Sequence, residues 1–481
     1  MNSIQLLLLG MILVLGSILW LRLHAFLALI LGALAIAFLT PKSSLERFAQ
    51  SEFLRTNQEA TAATSLPAIT KAANALTSKT PATRVAEGFG ATCTKVGILI
   101  AMASVIGVCL LESGAAQQIV NAILACLGAA RAHFAFLFSG FFLAIPVFFD
   151  TVFYLLIPIG KAMRRKTGKN YLLYILTIVA GGTMAHSLVP PTPGPMFVAS
   201  ELGVSLATMM LAGVIVGSFA VAFGYGWAVW MNKRYEIPLR EEADDSTTIQ
   251  AIESRALPPT FLALLPIVIP VILLAVGSIS AAQVPDDQSP ALLISLLKDK
   301  NLALVFGAAV GLLLLARYGA QNRDQARDHV QRALQSGASI ILITAAGGAF
   351  GSVLKQTGIA PDIAAMLGSS ASWLALPVVF LVTVIVRTAQ GSATVAMITA
   401  VPVAAAFVSQ VGCHPVYLAL AIGCGSKPIP WMNDSGFWIV TRMSGMKESE
   451  TLRFVTPMMS LMGLVGFLVT LLGAWLFPMA S

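Results

Sequence analysis

GGTMAHSLVPPTPGPM, residues 181–196, carries four prolines in six positions: Pro190, Pro191, Pro193 and Pro195. The sequence on either side is strongly apolar. No continuous helix holds that many prolines, because each removes an N–H and its ring clashes with the preceding turn. The segment must unwind, bringing His186, Ser187, Thr192 and Gly194 to the break. A second stretch answers it near the C-terminus. GCGSKPIPWMNDSGFW (423–438) crowds Ser426, Lys427, Asn433, Asp434 and Ser435 between Pro428, Pro430 and Gly436. Two Pro-interrupted polar segments in apolar surroundings are what broken transmembrane helices look like.

Composition supplies the surroundings. Of 481 residues, 57% are hydrophobic and only 11% charged, against roughly 25% charged in a soluble domain. Too little polar surface remains to coat a water-soluble particle. The apolar runs lack the ten-residue alternation of a transmembrane barrel, so helices must satisfy the backbone in lipid. Runs near 4–21, 23–39, 96–111, 171–189, 204–231, 259–280, 301–316, 337–354, 413–425 and 454–477 approach spanning length. Segments 41–95, 232–257 (with Glu241, Glu242, Asp244 and Asp245), 281–300 and 317–335 read as polar linkers. Residues 1–21 lack a basic n-region and a small-residue cleavage site, so 1–39 reads as a transmembrane hairpin rather than a signal peptide.

Several function classes drop out. The net charge of +8 sits in short clusters between apolar runs, which are topology signals rather than a nucleic-acid face. The five cysteines have no CxxC or Cys/His metal spacing and read as small buried hydrophobes. There is no GxxxxGK[ST] loop for nucleotide. Ser187, His186 and Asp150 do not form a protease set, because the first two are adjacent and no G-x-S-x-G is present. Neither an enzyme nor a cofactor is expected.

The two halves resemble each other. GVCLLESGAAQQI (107–119) lies over GSVLKQTGIAPDI (351–363) at a shift of 244, setting Ile119 on Ile363 and, further on, Pro158 on Pro402. At a slightly smaller shift HSLVPPTPG (186–194) falls on SKPIPWMNDSG (426–436). Five positive charges follow Pro158 within 161–169, whereas 403–415 has no Lys or Arg, so the repeats are expected to be inverted. Clusters at 233–240, 317–332 and 442–453 join 161–169 on the cytoplasmic side, leaving 41–95 external. The expected division is 1–95, an N-terminal hairpin and linker; 96–231, the first inverted repeat; 232–336, a loop and connecting helices; and 337–481, the second repeat with the C-terminal helix.

Two further interruptions complete the set. FFLAIPVFFDTVFYLLIPI (141–159) places Pro146, Asp150 and Thr151 between short apolar arms, the pattern of a re-entrant hairpin tip. A carboxylate at membrane depth is costly unless it binds a proton, a cation or a partner, so Asp150 is a functional candidate. VRTAQGSATVAM (386–397) is its mirror, with Arg387, Gln390, Ser392 and Thr394 around Gly391. Arg387 either clamps a carboxylate or pairs with an acidic neighbour; Lys427 either pairs with Asp434 or meets substrate. Glu112 reads as a solvated charge at a helix end. Inverted repeats with broken segments indicate a secondary transporter whose site lies near the midplane, where half-helix N-termini favour an anion. Candidate substrate contacts are Ser187, Thr192, Arg387, Gly391, Ser392, Thr394, Lys427 and Asn433. Candidate proton carriers are Asp150, His186 and Asp434. Sodium, held by carbonyls at the breaks, is the other possible coupling ion, and an uncoupled anion channel is the reading from another class.

Read together, ESGA (112–115), RAHF (131–134), PVFFD (146–150), VPPTPGPM (189–196), RTAQGSATVA (387–396) and NDSGFW (433–438) resemble the gluconate permease family, proton symporters of sugar acids in the wider ion-transporter superfamily. The likeness spans about 1–40 and 85–478. It implies an aldonic acid carried inward with protons across a bacterial inner membrane, a homodimer among lipid, and elevator-like travel of a hairpin-bearing domain. There are departures: Leu111 stands where family members commonly have His, Asp150 where they commonly have Glu, and the fourth motif reads WMNDSGFW against the usual HVNDPGFW, with Trp431 and Ser435 changed. They leave other hydroxy acids and D-serine open as substrates.

Overall fold

A computed structural model describes residues 3–21, 23–56, 62–240, 257–281, 296, 299–320, 322–359, 362, 371–408 and 411–479. The acidic run at 241–245 and the match of Ile119 with Ile363 lie outside the described residues. All regular elements described are helical. The N-terminal part holds α1 (Ser3–Leu19), α2 (Ala25–Leu39), α3 (Lys42–Thr56) and α4 (Ala62–Thr77). The first half continues with α5 (Pro81–Glu112), α6 (Ala115–Leu127), α7 (Ala132–Leu143), α8 (Phe149–Thr167), α9 (Tyr171–Leu188), α10 (Pro193–Glu201) and α11 (Leu206–Arg234). After the connecting helices α12 (Thr260–Ala281) and α13 (Lys300–Leu314), the second half runs α14 (Arg323–Gln356), α15 (Ala371–Gln390), α16 (Ala393–Phe407), α17 (Val416–Gly425), α18 (Ser435–Ser444) and α19 (Glu448–Leu476).

Some expectations are corrected here. The expected linker 41–95 is largely helical, and α5 starts at Pro81, whose fixed φ suits a first turn after the N-cap Thr80. The expected linker 317–335 likewise gives way to α14, capped by Asn322. The run 413–425 is no span: α17 has only ten residues. Among the described residues, six helices, counting α9 with α10 as one, are long and apolar enough to cross a membrane.

Each half contains the same succession: a long lead helix, a hairpin, a broken helix and a long closing helix. In the first half these are α5, α7–α8, α9–α10 and α11; in the second, α14, α15–α16, α17–α18 and α19. The halves are also exchanged across each other. Half-helix α10 packs on hairpin arm α16, and half-helix α18 packs on hairpin arm α8. That reciprocity is the mark of a two-fold relation.

Hydrogen bonds fix its sense. At one face Arg164, near the end of α8, meets Glu236 at 2.6 Å; Arg240 grips Glu450, in the first turn of α19, at 2.6 and 2.8 Å; and Tyr171 starts α9 by donating to the Ser444 carbonyl at the end of α18. This is the basic face. The α19 helix has 29 residues, about 43 Å at 1.5 Å per residue. At its far end Tyr417 of α17 donates to the Phe477 carbonyl, and the His414 N–H donates to Pro478. So α8 runs from the interior to the basic face, while α16, which leads into α17, runs from the interior to the opposite one. The repeats are inverted.

The core sits around α9, in which every residue but His186 is buried. Close approach makes this possible: Gly140 of α7 lies against the Ile178 carbonyl, where a Cβ would stand 3.1 Å away. Two packed groups result, α1, α2, α5, α12, α13 and α14 on one side and α7–α11 with α15–α19 on the other. Among the described residues, the ion pairs crossing between them all involve Glu201 at the end of α10, which meets Lys95 of α5 at 2.9 Å and Lys355 of α14 at 3.7 Å.

Candidate functional site

Four chain interruptions converge inside the second group. Hairpin 1 turns at 144–148, and α8 begins after Phe148 with no side-chain cap, leaving its first N–H groups free; Asp150 lies in that first turn. Hairpin 2 turns at Gly391, whose φ of +79° suits glycine, and Ser392 caps α16. The broken helices open at 189–192 and 426–434. Asp434 caps α18 by accepting from the Gly436 N–H at 2.8 Å. Helix N-termini aimed at one point make an environment suited to an anion.

A cavity of about 410 Å³ lies there, within the usual range for a small-molecule site. Its polar side is built by Asp150, Thr151, Thr183, His186, Arg387, Ser392, Thr394, Lys427, Asp434 and Ser435. Ile340 and Ile343 of α14, with Val440, Val455 and Met459, form the apolar side. Val440 is one turn from the basic end of α18, and Val455 two turns into α19 from the same face. The cavity therefore extends from the interior toward the basic face.

Its cations are deeply set. Arg387 and Lys427 are each 2% exposed. Arg387 Nη2 pairs with Asp434, while its Nε and Nη1 are buried without a partner. Lys427 Nζ donates to the Thr183 carbonyl at 2.6 Å, and Asp434 is not its partner. Of the two alternatives for Lys427, the pair with Asp434 is not formed: Arg387 reaches Asp434 from hairpin 2, and the unwound turn sends Lys427 toward α9 instead. The Asp150 carboxylate makes no hydrogen bond or ion pair to a described residue. His186 turns its ring edge toward Phe148, with Nδ1 unpartnered.

Seven candidates from the sequence are thus brought together: Asp150, His186, Arg387, Ser392, Thr394, Lys427 and Asp434. Four do not line the cavity. Ser187 faces away on α9, fully buried. The Thr192 hydroxyl turns back to donate to the Val189 carbonyl at 2.8 Å. Gly391 packs under the Asn433 carbonyl, and the Asn433 amide donates to the Thr388 and Ala389 carbonyls. For Thr192, Gly391 and Asn433 a backbone carbonyl beside a break or helix end takes the donor or the space, whereas the buried Ser187 hydroxyl has no partner among the described residues. Thr183 and Ser336 were not anticipated. Thr183 could have been found, since it lies one turn before His186 on the same helix face; Ser336 falls beside a stretch that reads as linker. Glu112 is not merely solvated: its carboxylate approaches His329 Nδ1 at 3.2 Å across α5 and α14.

Comparison with known proteins gives this architecture a context. The chain is 32% identical over 379 residues to an uncharacterized permease of Haemophilus influenzae, covering 76% of this chain and 77% of that protein. It is 29% identical over 390 residues to the low-affinity gluconate transporter of Escherichia coli, covering 80% and 86%. The fold is similar to that of the YdaH transporter of Alcanivorax borkumensis, with a TM-score of 0.60 at 13% identity, over 82% of this chain and 89% of that one. The model of the GntP family permeases matches residues 68–476. With that match over most of its length, this multi-pass membrane chain belongs to the GntP family of permeases.

Proposed function

We propose that the protein carries a gluconate-like sugar acid, together with a proton, into a bacterial cell across its inner membrane. The observation that carries this reading is the charge balance of the cavity. Two buried cations, Arg387 and Lys427, face two carboxylates, Asp150 and Asp434, so the side chains of the site sum to a formal charge of zero. An incoming monocarboxylate adds one negative charge in a low-dielectric space, where an uncompensated charge is costly. A proton on Asp150, the carboxylate without an ionic partner, restores neutrality.

The substrate carboxylate meets the free Nε and Nη1 of Arg387, the Lys427 ammonium and the N-termini of α8 and α16. Its hydroxyls meet Thr151, Ser392, Thr394 and Ser435. Donors placed for several hydroxyls favour a polyhydroxy acid over a plain one, because a site built for them is left unpaired by an analogue lacking them. The name of the Escherichia coli relative agrees with that chemistry. The family resemblance adds a homodimer and elevator-like travel, for which the two helix groups are the candidate moving parts.

The test is uptake of labelled gluconate into proteoliposomes, with and without an inward proton gradient and with sodium replaced by potassium. Wild-type protein accumulates gluconate under the proton gradient alone. Asp150→Asn retains exchange at zero gradient and loses accumulation. Full accumulation by that variant, or dependence on sodium at fixed pH, overturns the assignment of the coupling ion.

A further inference from the structure

We propose that Trp431 and Asn433 are positioning residues that clasp hairpin 2 to the second broken helix, so that the Arg387 guanidinium and Asp434 move as one body while the tip of hairpin 1 stays unclasped. The α15 helix ends at Gln390, and the last carbonyls of any helix lack intrahelical partners. Here each of three is taken. The Gly391 N–H donates to the Arg387 carbonyl at 2.9 Å. Trp431 Nε1 donates to the Thr388 carbonyl at 2.9 Å, and Asn433 Nδ2 reaches Thr388 at 2.8 Å and Ala389 at 3.2 Å. The Arg387–Asp434 ion pair and the seating of Gly391 under the Asn433 carbonyl fasten the same two segments. Apart from the Gly391–Arg387 bond, all these contacts run from 431–434 to 387–391.

The first half lacks the device. Matching the starts of the two half-helices, N-cap Thr192 with N-cap Asp434, sets Trp431 and Asn433 on Val189 and Pro191, which carry no side-chain donor or charge. Thr192, at the place of Asp434, is uncharged and spends its hydroxyl within its own break. Among the described residues, no side-chain hydrogen bond joins that break to 144–148. Two segments that correspond in topology thus differ in what holds them. The consequence for transport rests on the proposed function; the clasp itself does not.

Amide hydrogen exchange of the purified full-length protein, without substrate, tests the clasp directly. Trp431→Phe removes one N–H from a side chain that is 43% exposed and should not endanger folding; Asn433→Ala removes two contacts. One hydrogen bond corresponds to roughly a two- to tenfold change in opening, so both variants should exchange faster by that factor at 388–392 and unchanged at 144–148. Unaltered exchange at 388–392 overturns the clasp. Uptake supplies the second readout. A positioning role raises KM by a common factor for gluconate, glycerate and lactate, with kcat little changed. A penalty that grows with the number of substrate hydroxyls makes Asn433 a direct ligand and overturns its positioning role. If no acid is carried even by the wild type, the transport reading fails and the exchange result still decides the clasp.

Discussion

Replacing Asp434 by Asn removes one charge and little else. Asn is as good an N-cap as Asp, so the bond from the Gly436 N–H, 2.8 Å in the wild type, survives at the start of α18. What is lost is the anion facing Arg387. That guanidinium is 2% exposed and already has two unpartnered nitrogens, and Lys427 beside the same cavity is equally buried. The variant leaves both cations facing Asp150 alone. Breaking a buried ion pair from one side costs about 3–5 kcal/mol, well above the roughly 0–1 kcal/mol of an exposed pair. Removing the second charge as well, in Arg387→Gln with Asp434→Asn, should restore at least half of the loss, because no uncompensated charge remains. The assay is thermal unfolding in detergent of the wild type, both single variants and the double variant at one fixed scan rate. Asp434→Asn is expected to melt several degrees lower, and the double variant to recover stability but not uptake. Melting of Asp434→Asn with the wild type, or a double variant no more stable than that single one, would refute the reasoning.

Other outcomes follow from the same geometry. Glu201→Gln removes the charge that ties α10 to Lys95 and Lys355, a partly exposed pair worth up to about 1 kcal/mol. Labelling of cysteines introduced beside α10 on the face opposite the basic one should rise by up to roughly fivefold; no rise would show that the tie does not hold that face shut. Gly391→Ala places a Cβ against the Asn433 carbonyl at a backbone conformation that alanine resists. Uptake should fall at least tenfold with the protein still present in the membrane, and normal uptake would mean that the tip tolerates displacement.

The breaks were legible because proline chemistry is local. Four prolines between 190 and 195 exclude a helix whatever surrounds them, and Asp150 and Arg387 stand out because charge in an apolar run is conspicuous. Inversion was legible too, since five basic residues after Pro158 and none after Pro402 is a comparison needing no coordinates. Pairing was not. Arg387 and Asp434 are 47 positions apart, and Lys427, seven residues before Asp434, offered a nearer partner by counting alone. Only the unwinding of 426–434, with side chains leaving in directions no helical period predicts, decides between them. The helices within 41–95 were hidden for another reason: they are amphipathic or polar and too weakly apolar to register as membrane segments. Spacing could not show where the Thr192 and Asn433 donors turn, because a freed backbone carbonyl competes with a ligand for every nearby donor.

The exchange of half-helices between the repeats has a consequence for biosynthesis. The α8 arm, with Asp150 at its start, has left the ribosome by Thr167, but α18, which covers it, begins only at Ser435. The interval is roughly 270 residues, or about 15–55 s at 5–20 residues per second. For that time a carboxylate-bearing helix start waits in the bilayer without the element that completes its surroundings. A nascent chain stopped after α11 therefore carries Asp150, Thr151, Thr183 and His186 from the polar side of the cavity and none of the apolar side named above. Supplying 257–481 as a separate polypeptide should rescue such a fragment, because the two pieces meet along surfaces that neither can satisfy alone.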